Sequence, residues 1–424
     1  MAYLPRTVDH ELDELLPTLA AISLDGPKGV GKTATAGRRA STVLAMDDAG
    51  QRQLIQADPD RLERESSPVL VDEWQRLPEV WDMVRRSVDR GAAPGSYLLT
   101  GSASPGEGAT THSGAGRIVQ VRMRPLTFAE RRVEAPTVSL GALLEGAQPD
   151  IGGSTTVGLA DYTDEILASG LPGVRHLAGR ARRAQLDGYL ARIVDRDFPE
   201  QGHPVRRPRA LRAWLTAYAA ATSTTAKYSV ILDASTAGDG DKPAKTTVIG
   251  YRDVLTQLWI LDPVPGWVPS RNPFTRLQQS PKHHLADPAL AARLLGATEG
   301  SLLDGSELGP SIPRDGTLLG ALFESLVALS LRVAAQSAEA TVHHLRTANG
   351  VHEVDFIVER ADHRVLAIEV KLAASVEDRD VVHLTWLADQ LGSDVVDRVV
   401  VTTGSEAYRR RDGIAVVPLA LLGV

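Results

Sequence analysis

The stretch GPKGVGKT, residues 26–33, constrains this chain more than any other, because it requires a strand, a tight loop and a helix in that order. The pattern G-x-x-x-x-G-K-[ST] is met by Gly26, Gly31, Lys32 and Thr33. Glycines at those positions let backbone N–H groups converge on a phosphate, and the start of the following helix adds its dipole. Lys32 is expected to reach β- and γ-phosphates, and the Thr33 hydroxyl to ligate Mg²⁺. The context fits: the apolar run LAAISLD precedes the loop and the helix-forming TATAGRRAS ends it.

A second stretch, PVLVDEWQRLP, strengthens the reading. Four apolar residues ending in Asp72-Glu73 predict a buried strand with an acid pair at its tip. Asp72 is placed to hold Mg²⁺ through water, and Glu73 to polarise an attacking water. A third strand, SYLLTGSAS, ends in Thr100, Gly101 and Ser102, where a hydroxyl is placed to sense a γ-phosphate. The expectation is an ATP site with Mg²⁺. Its nucleotide-holding residues are Gly26, Pro27, Lys28, Gly29, Val30, Gly31, Lys32, Thr33, Ala34 and Ser102, with Lys32 and Glu73 as catalytic residues and Thr33 and Asp72 on the metal.

Five apolar runs in the first 140 residues (19–25, 42–48, 68–73, 96–102 and 117–123), alternating with helical patterns, predict a parallel α/β sheet. PGEGATTHSGAG (105–116) reads as a loop, and an arginine-rich helical segment follows at about 160–200. Helix patterns at 209–221 and 226–235, a loop at GDGDKPAKTT, a third helix, and LWILDPVPGW as a β-hairpin give the element order of a winged helix over 205–270. Residues 280–424 return to mixed α/β, with strands expected at 354–359, 365–371 and 398–403.

That last region carries its own constellation, in FESLV and HEVDFIVERADHRVLAIEVKLAAS. Strand alternation puts Glu369 and Lys371 on one face, and a hairpin through ERADHR brings Asp355 beside them. Two carboxylates, Asp355 and Glu369, suit a second divalent cation, and Lys371 would activate water or stabilise phosphate charge. Glu324, inside an apolar helix, adds a third carboxylate. This is the pattern of the PD-(D/E)xK nucleases, so Glu324, Asp355, Glu369 and Lys371 are the candidate cleavage residues. The adjacent histidines at 283–284 and 343–344 point apart on a strand and read as structural.

Composition bounds the remaining choices. The chain has no cysteine, which excludes disulfides, cysteine-ligated zinc and a cysteine nucleophile. TLLGALFESLVALSLRVAA is interrupted by Glu324 and Arg332, and the N-terminus lacks a signal-peptide pattern, so a soluble cytoplasmic protein without a membrane partner is expected. A net charge of −7 argues against coating nucleic acid by bulk charge. Yet Arg175 to Arg212 holds ten arginines against four acids, a local balance that suits a phosphate backbone.

Taken in order, LDGPKGVGKTATA, VLAMDD, PVLVDEWQRLPEVW, YLLTGSAS, GAGRIVQVRMRPLTFAE and ASGLPGV resemble bacterial AAA-type ATPases that carry a C-terminal domain with a nuclease-like pattern. The resemblance implies an AAA+ core (1–140), a helical lid (155–204), the winged-helix-like module (205–270) and a restriction-endonuclease-like domain (280–424). It implies that Arg117 acts on the γ-phosphate and that Pro172, in the lid's Gly-x-Pro, lies against the base. Lys28 departs from the arginine usual in GPR. The expected activity is ATP hydrolysis coupled to nucleic-acid binding, DNA ahead of RNA, or to metal-dependent cleavage. Two other readings stay open: a nucleotide-gated DNA- or protein-binding regulator that cuts nothing, and a toxin- or defence-type protein restrained by an antitoxin-like partner. A homo-oligomer is also compatible.

Overall fold

The computed structural model describes residues 3–102, 114–146, 148–236, 244–269, 279–303, 316–347 and 350–424, with side chains of 316–317 excepted. Strands β1 (Ala21–Asp25), β2 (Thr42–Ala45), β3 (Val69–Asp72), β4 (Tyr97–Gly101) and β5 (Val119–Arg122) form one parallel sheet. Their order is β2-β3-β4-β1-β5, so β4 is inserted between the strand of the glycine-rich loop and the strand of the acid pair. β1 and β4 are buried along their whole length. That is why they read as unbroken apolar runs rather than alternating ones: helices cover both faces. The loop expected at 105–116 lies, as far as residue 113, outside the described residues.

After β5 come β6 (Val138–Ser139) and a layer of helices, Leu159–Ala168, Pro172–Arg175 and Gly179–Arg192, the last continuing into a π turn at Ile193–Asp197. Helices Pro208–Ala220, Tyr228–Ala234 and Lys245–Gln257 follow. The wing expected from LWILDPVPGW is not a hairpin. Its backbone bridges residues 282–285 instead, through Leu261–Leu285 and Val264–Lys282, and β7 (Gly266–Trp267) adds in parallel to the C-terminal sheet beside β8 (Thr341–Arg346). The physical reason is partner availability: two short runs joined by Pro263 and Pro265 lack N–H groups for a mutual ladder, whereas 282–285 and β8 offer free edges.

The C-terminal sheet also holds β9 (Glu353–Glu359), β10 (Val365–Lys371), β11 (Val395–Thr402), β12 (Tyr408–Arg409) and β13 (Ala415–Pro418), in the order β12-β13-β11-β10-β9-β8-β7. β9 and β10 form the antiparallel hairpin, and β10 and β11 run parallel around helix Val382–Leu391. The last strand, β14 (Leu422–Gly423), returns to pair with β6. Residues 141–154, left without a domain by the sequence, and the adjoining Thr155 are bound to this sheet: Thr155 N–H donates to Ser405 O, and Arg360 and Arg409 donate to the carbonyls of Leu144 and Pro149.

Helix Gly316–Ser337 packs at once against the N-terminal helix Thr7–Leu15, helix Leu159–Ala168, helix Pro288–Leu294 and strands β8 and β10. Neighbours on nearly every side explain its apolar composition, which is by itself long and apolar enough to cross a membrane. At its lower end Arg332 meets Asp262, together with Arg122 and Arg124 from the end of β5. The carboxylate takes Arg332 at 2.6 Å, Arg122 at 3.1 Å and Arg124 at 2.9 Å, and is almost wholly buried. Arg332 also donates to the carbonyls of Asp262 and Pro263, and Arg124 to Gln336. Asp262→Ala leaves three guanidiniums buried without their anion. It is expected to cost about 3–5 kcal/mol of unfolding free energy in urea titrations, and Asp262→Ala with Arg332→Leu should cost less than the sum of the two single changes.

Candidate functional site

The parallel register carries the first site. β3 lies beside β4 with Asp72 opposite Thr100, and β4 beside β1 with Gly101 opposite Asp25, so three strand ends open on one edge. Gly26 has no room for a side chain: a Cβ there would stand 2.1 Å from the Met123 carbonyl oxygen. Gly31 has φ +102°, a left-handed conformation that L side chains avoid. These two positions let the loop turn sharply from β1 into helix Lys32–Gly37.

Lys32 is buried, and its Nζ donates to the carbonyls of Gly26 (2.6 Å) and Pro27 (2.9 Å) rather than to a carboxylate. Burial pushes the ammonium down to about 8, against the pull of Glu73, Asp25 and Asp72. An ammonium held by carbonyls alone in such a pocket is a receptor for an anion. Asp72 Oδ1 accepts from the hydroxyls of Thr33 (2.7 Å) and Thr100. Glu73 sits in a left-handed conformation (φ 53°) and accepts from Ser102 Oγ at 2.9 Å and from Gln75. Asp72 and the Thr33 hydroxyl are hard oxygen donors already in contact, which fits Mg²⁺. Pro172 opens helix Pro172–Arg175, and a Cβ built on Gly31 would lie 3.9 Å from its ring. Arg117 is not brought to this group; it is half exposed and pairs with Asp89 at 2.8 Å.

The second site gathers Glu324, Asp355, Glu369 and Lys371. Beyond the Ile368–Phe356 pair the β9–β10 ladder opens, and Asp355 Oδ2 takes the Val370 N–H at 2.9 Å. Lys371 Nζ donates to Glu369 Oε1 at 2.8 Å. Glu324 approaches from helix Gly316–Ser337. The sequence reading missed the residue at the centre. Lys282, 1% exposed at its side chain, donates to Glu324 at 2.8 Å and Asp355 at 3.0 Å, with Glu353 at 3.7 Å. Asp355 and Glu369, the pair expected to suit a second divalent cation, are each in contact with an ammonium here. An ammonium bridges two of the three carboxylates, Lys371 neutralises the third, and among the described residues no group of three His, Cys, Asp or Glu is placed to hold a metal ion.

Electrostatics follow from that packing. Burial and then the Asp355 charge push the carboxyls of Glu324 and Glu369 up to about 8, against Lys282 and Lys371 respectively. Burial would lower Lys282, but Asp355 and Glu324 hold its ammonium well above the usual value. Glu369 Oε2 is buried and has no hydrogen-bond partner among the described residues. Of the histidine pairs, His283 Nε2 lies 2.7 Å from the Ala226 carbonyl, His344 Nε2 2.9 Å from that of Ser280, and His284 is fully enclosed.

Sequence reading also missed Arg6. It is buried under the glycine-rich loop, donating to the carbonyls of Val30 (2.8 Å) and Arg124 (2.6 Å) and pairing with Glu130 at 3.3 Å. Of the ten arginines between 175 and 212, Arg175, Arg182, Arg196 and Arg212 pair with Glu165, Asp164, Glu200 and Asp195. Arg180, Arg183, Arg192, Arg206 and Arg209 are exposed.

Three families match along the chain: an AAA domain over residues 19–131, a domain of unknown function (DUF8612) over 159–301, and a domain of unknown function (DUF4143) over 319–422. An uncharacterised protein of Mycobacterium tuberculosis is 28% identical over 377 residues, covering 86% of this chain and 73% of the relative. One of Mycobacterium bovis matches with the same figures. Among solved structures, a Walker-type ATPase of Pyrococcus abyssi aligns with a TM-score of 0.40 and 18% identity, over 68% of this chain and 94% of that one. The ORC2 protein of Aeropyrum pernix aligns with a TM-score of 0.27 and 14% identity, over 76% and 92%. The stretch that matches the AAA domain, residues 19–131, contains the glycine-rich loop, the acid pair and Ser102.

Two outcomes are expected from the lysine-centred cluster. Lys282→Met leaves Glu324 and Asp355 uncompensated and should lower stability by about 3–5 kcal/mol in urea. Carboxyls raised to about 8 favour the folded state while protonated, so their contribution is full below the unfolded value of 4.5 and is lost as pH rises through about 8. The buried histidines act in the opposite sense, but only below 6.5. Between pH 6.5 and 8 the urea midpoint should therefore fall, and Glu369→Gln should flatten that slope.

Proposed function

We propose that this chain is an Mg²⁺-dependent ATPase whose nucleotide state governs binding to DNA, with no cutting by its C-terminal domain. The observation that carries the first half is the convergence of Lys32, Thr33, Asp72, Glu73 and Ser102 on one sheet edge. The residues that would hold Mg²⁺ are Thr33 and Asp72, and bound Mg²⁺ with ATP would supply a polarised phosphoanhydride. Lys32 exchanges its two carbonyl partners for phosphate oxygens. Glu73 accepts a proton's hydrogen bond from water and aims it, while Ser102 and Gln75 fix the carboxylate that does so.

The preference for binding over cleavage rests on Lys282. Metal-dependent phosphodiester cleavage needs carboxylates open to a cation, and here an ammonium already satisfies two of them. DNA is favoured as partner by the exposed Arg180, Arg183, Arg192, Arg206 and Arg209, which would neutralise backbone phosphates.

Lys32→Ala is expected to abolish ATP hydrolysis, and Glu73→Gln to slow it by about 10²–10⁴-fold with ATP binding retained, in a steady-state phosphate-release assay. Equal turnover in wild type and both variants overturns the ATPase reading. In parallel, DNA binding measured at a series of salt concentrations should lose about two units of log–log slope in Arg180→Ala/Arg183→Ala. Wild-type cleavage of DNA or RNA with Mg²⁺ or Mn²⁺ that disappears in Glu369→Ala would instead favour the nuclease.

A further inference from the structure

The glycine-rich loop contains a second lysine, and it is bound to the helical layer rather than to the loop. Lys28 Nζ lies 2.5 Å from Asp197 Oδ1 and 3.5 Å from Glu200 Oε2. Asp197 is buried at the end of the π turn, in a segment more than 160 residues away in the chain. Glu200 reaches further. It also takes Arg76 at 3.2 Å, three residues beyond Glu73, and Arg196 at 2.9 Å. Tyr189 Oη donates to the Lys28 carbonyl at 3.2 Å. Two carboxylates of one short segment thus hold cations from both walls of the phosphate pocket: the glycine-rich loop, through Lys28, and the acid-pair strand end, through Arg76.

Lys28 stands next to the two residues whose carbonyls hold Lys32, Gly26 and Pro27. Its charge is among those that act on Lys32: burial does most to press the Lys32 ammonium toward neutrality, and Lys28 adds to it. The side chain is 29% exposed, so its ammonium is neither walled in nor free. A loop that wraps phosphates with its backbone carries this ammonium on a four-carbon stem at its rim. A triphosphate brings one more charged group into that pocket than a diphosphate does. It therefore competes with Asp197 and Glu200 for the same cation.

We infer that Lys28 is an exchangeable latch that distinguishes ATP from ADP. Without nucleotide it is bound by Asp197 and Glu200, which draws segment 193–201 onto the loop. With ATP it turns to the terminal phosphate, supplies positive charge there in cis, and releases that segment. With ADP the terminal phosphate is missing and the latch stays closed. Arg117, held by Asp89, is then not required for the cation in cis. The inference rests on the ATP-site reading above and adds the residue that converts phosphate number into position of the helical layer.

The test uses the full chain and two readouts other than turnover. Calorimetric affinities for ATPγS and ADP, each with Mg²⁺, give the triphosphate preference; hydrogen exchange of amides 193–203 gives the state of the latch. Lys28→Ala should reduce the ATPγS-over-ADP affinity ratio by about 10–100-fold, the worth of a charge-assisted hydrogen bond, and Lys28→Arg should keep most of it. In wild type, ATPγS should speed exchange over 193–203 while ADP leaves it slow. Asp197→Asn/Glu200→Gln should exchange fast with no nucleotide and still prefer ATPγS. An affinity ratio within about twofold of wild type in Lys28→Ala, or protection of 193–203 that ignores ATPγS, overturns the latch while leaving the ATP site standing. Wild type that binds neither nucleotide, or Lys32→Ala that binds as well as wild type, overturns both.

Discussion

One buried carboxylate joins three parts of this molecule. Asp262 balances Arg122 and Arg124 from the end of the parallel sheet against Arg332 from the long C-terminal helix. Burial would raise its carboxyl, but three guanidiniums hold it far below the usual carboxylate range. One anion cannot neutralise three cations. The remainder is spread over carbonyl acceptors, Gln336, and the Trp259 ring, 4.6 Å from the Arg122 guanidinium. Because guanidinium keeps its charge, removing the carboxylate would leave buried cations without their anion. The same Arg124 offers its carbonyl to Arg6, and Arg6 offers its other nitrogen to Val30 in the glycine-rich loop. The nucleotide pocket, the middle segment and the C-terminal helix thus share a single continuous set of polar contacts.

The two candidate sites use the same side-chain types to opposite ends. At the first, Lys32 donates to carbonyls, and the acids Asp72 and Glu73 accept from hydroxyls and an amide, an arrangement that suits an anion and its cation. At the second, Lys282 and Lys371 are spent on Glu324, Asp355 and Glu369. Which group supplies the countercharge decides whether a cluster of acids and lysines receives a ligand or closes on itself. Both sites draw on lysines and acids; the difference lies in which group stands next to which.

Composition carried a signal that spacing did not. Basic residues here are overwhelmingly arginine, with seven lysines in the chain, and four of those seven, Lys28, Lys32, Lys282 and Lys371, lie in the two clusters. An ammonium is a compact point charge that can be handed between oxygens; a guanidinium is a fixed fork. Lysine in an arginine-rich chain therefore marks places where geometry asks for the former. SPKHHLADP, which carries Lys282, has no pattern of its own, and this scarcity was the one trace of its role.

By itself the sequence determined what depends on neighbours along the chain. The glycine-rich loop, its strand and helix, the acid pair at the tip of β3, the hairpin of β9 and β10, and the apolar length of helix Gly316–Ser337 all follow from local period, turn chemistry and burial pattern. The tertiary structure decided what depends on distant partners. It denied LWILDPVPGW its hairpin by offering 282–285 and β8 as edges, attached 141–155 to the C-terminal sheet, turned Arg117 to Asp89, and put Lys282 between Glu324 and Asp355. The reason is common to all of these. A backbone edge or a buried charge must be satisfied by whatever group the fold brings near, and that group is seldom a neighbour in the chain.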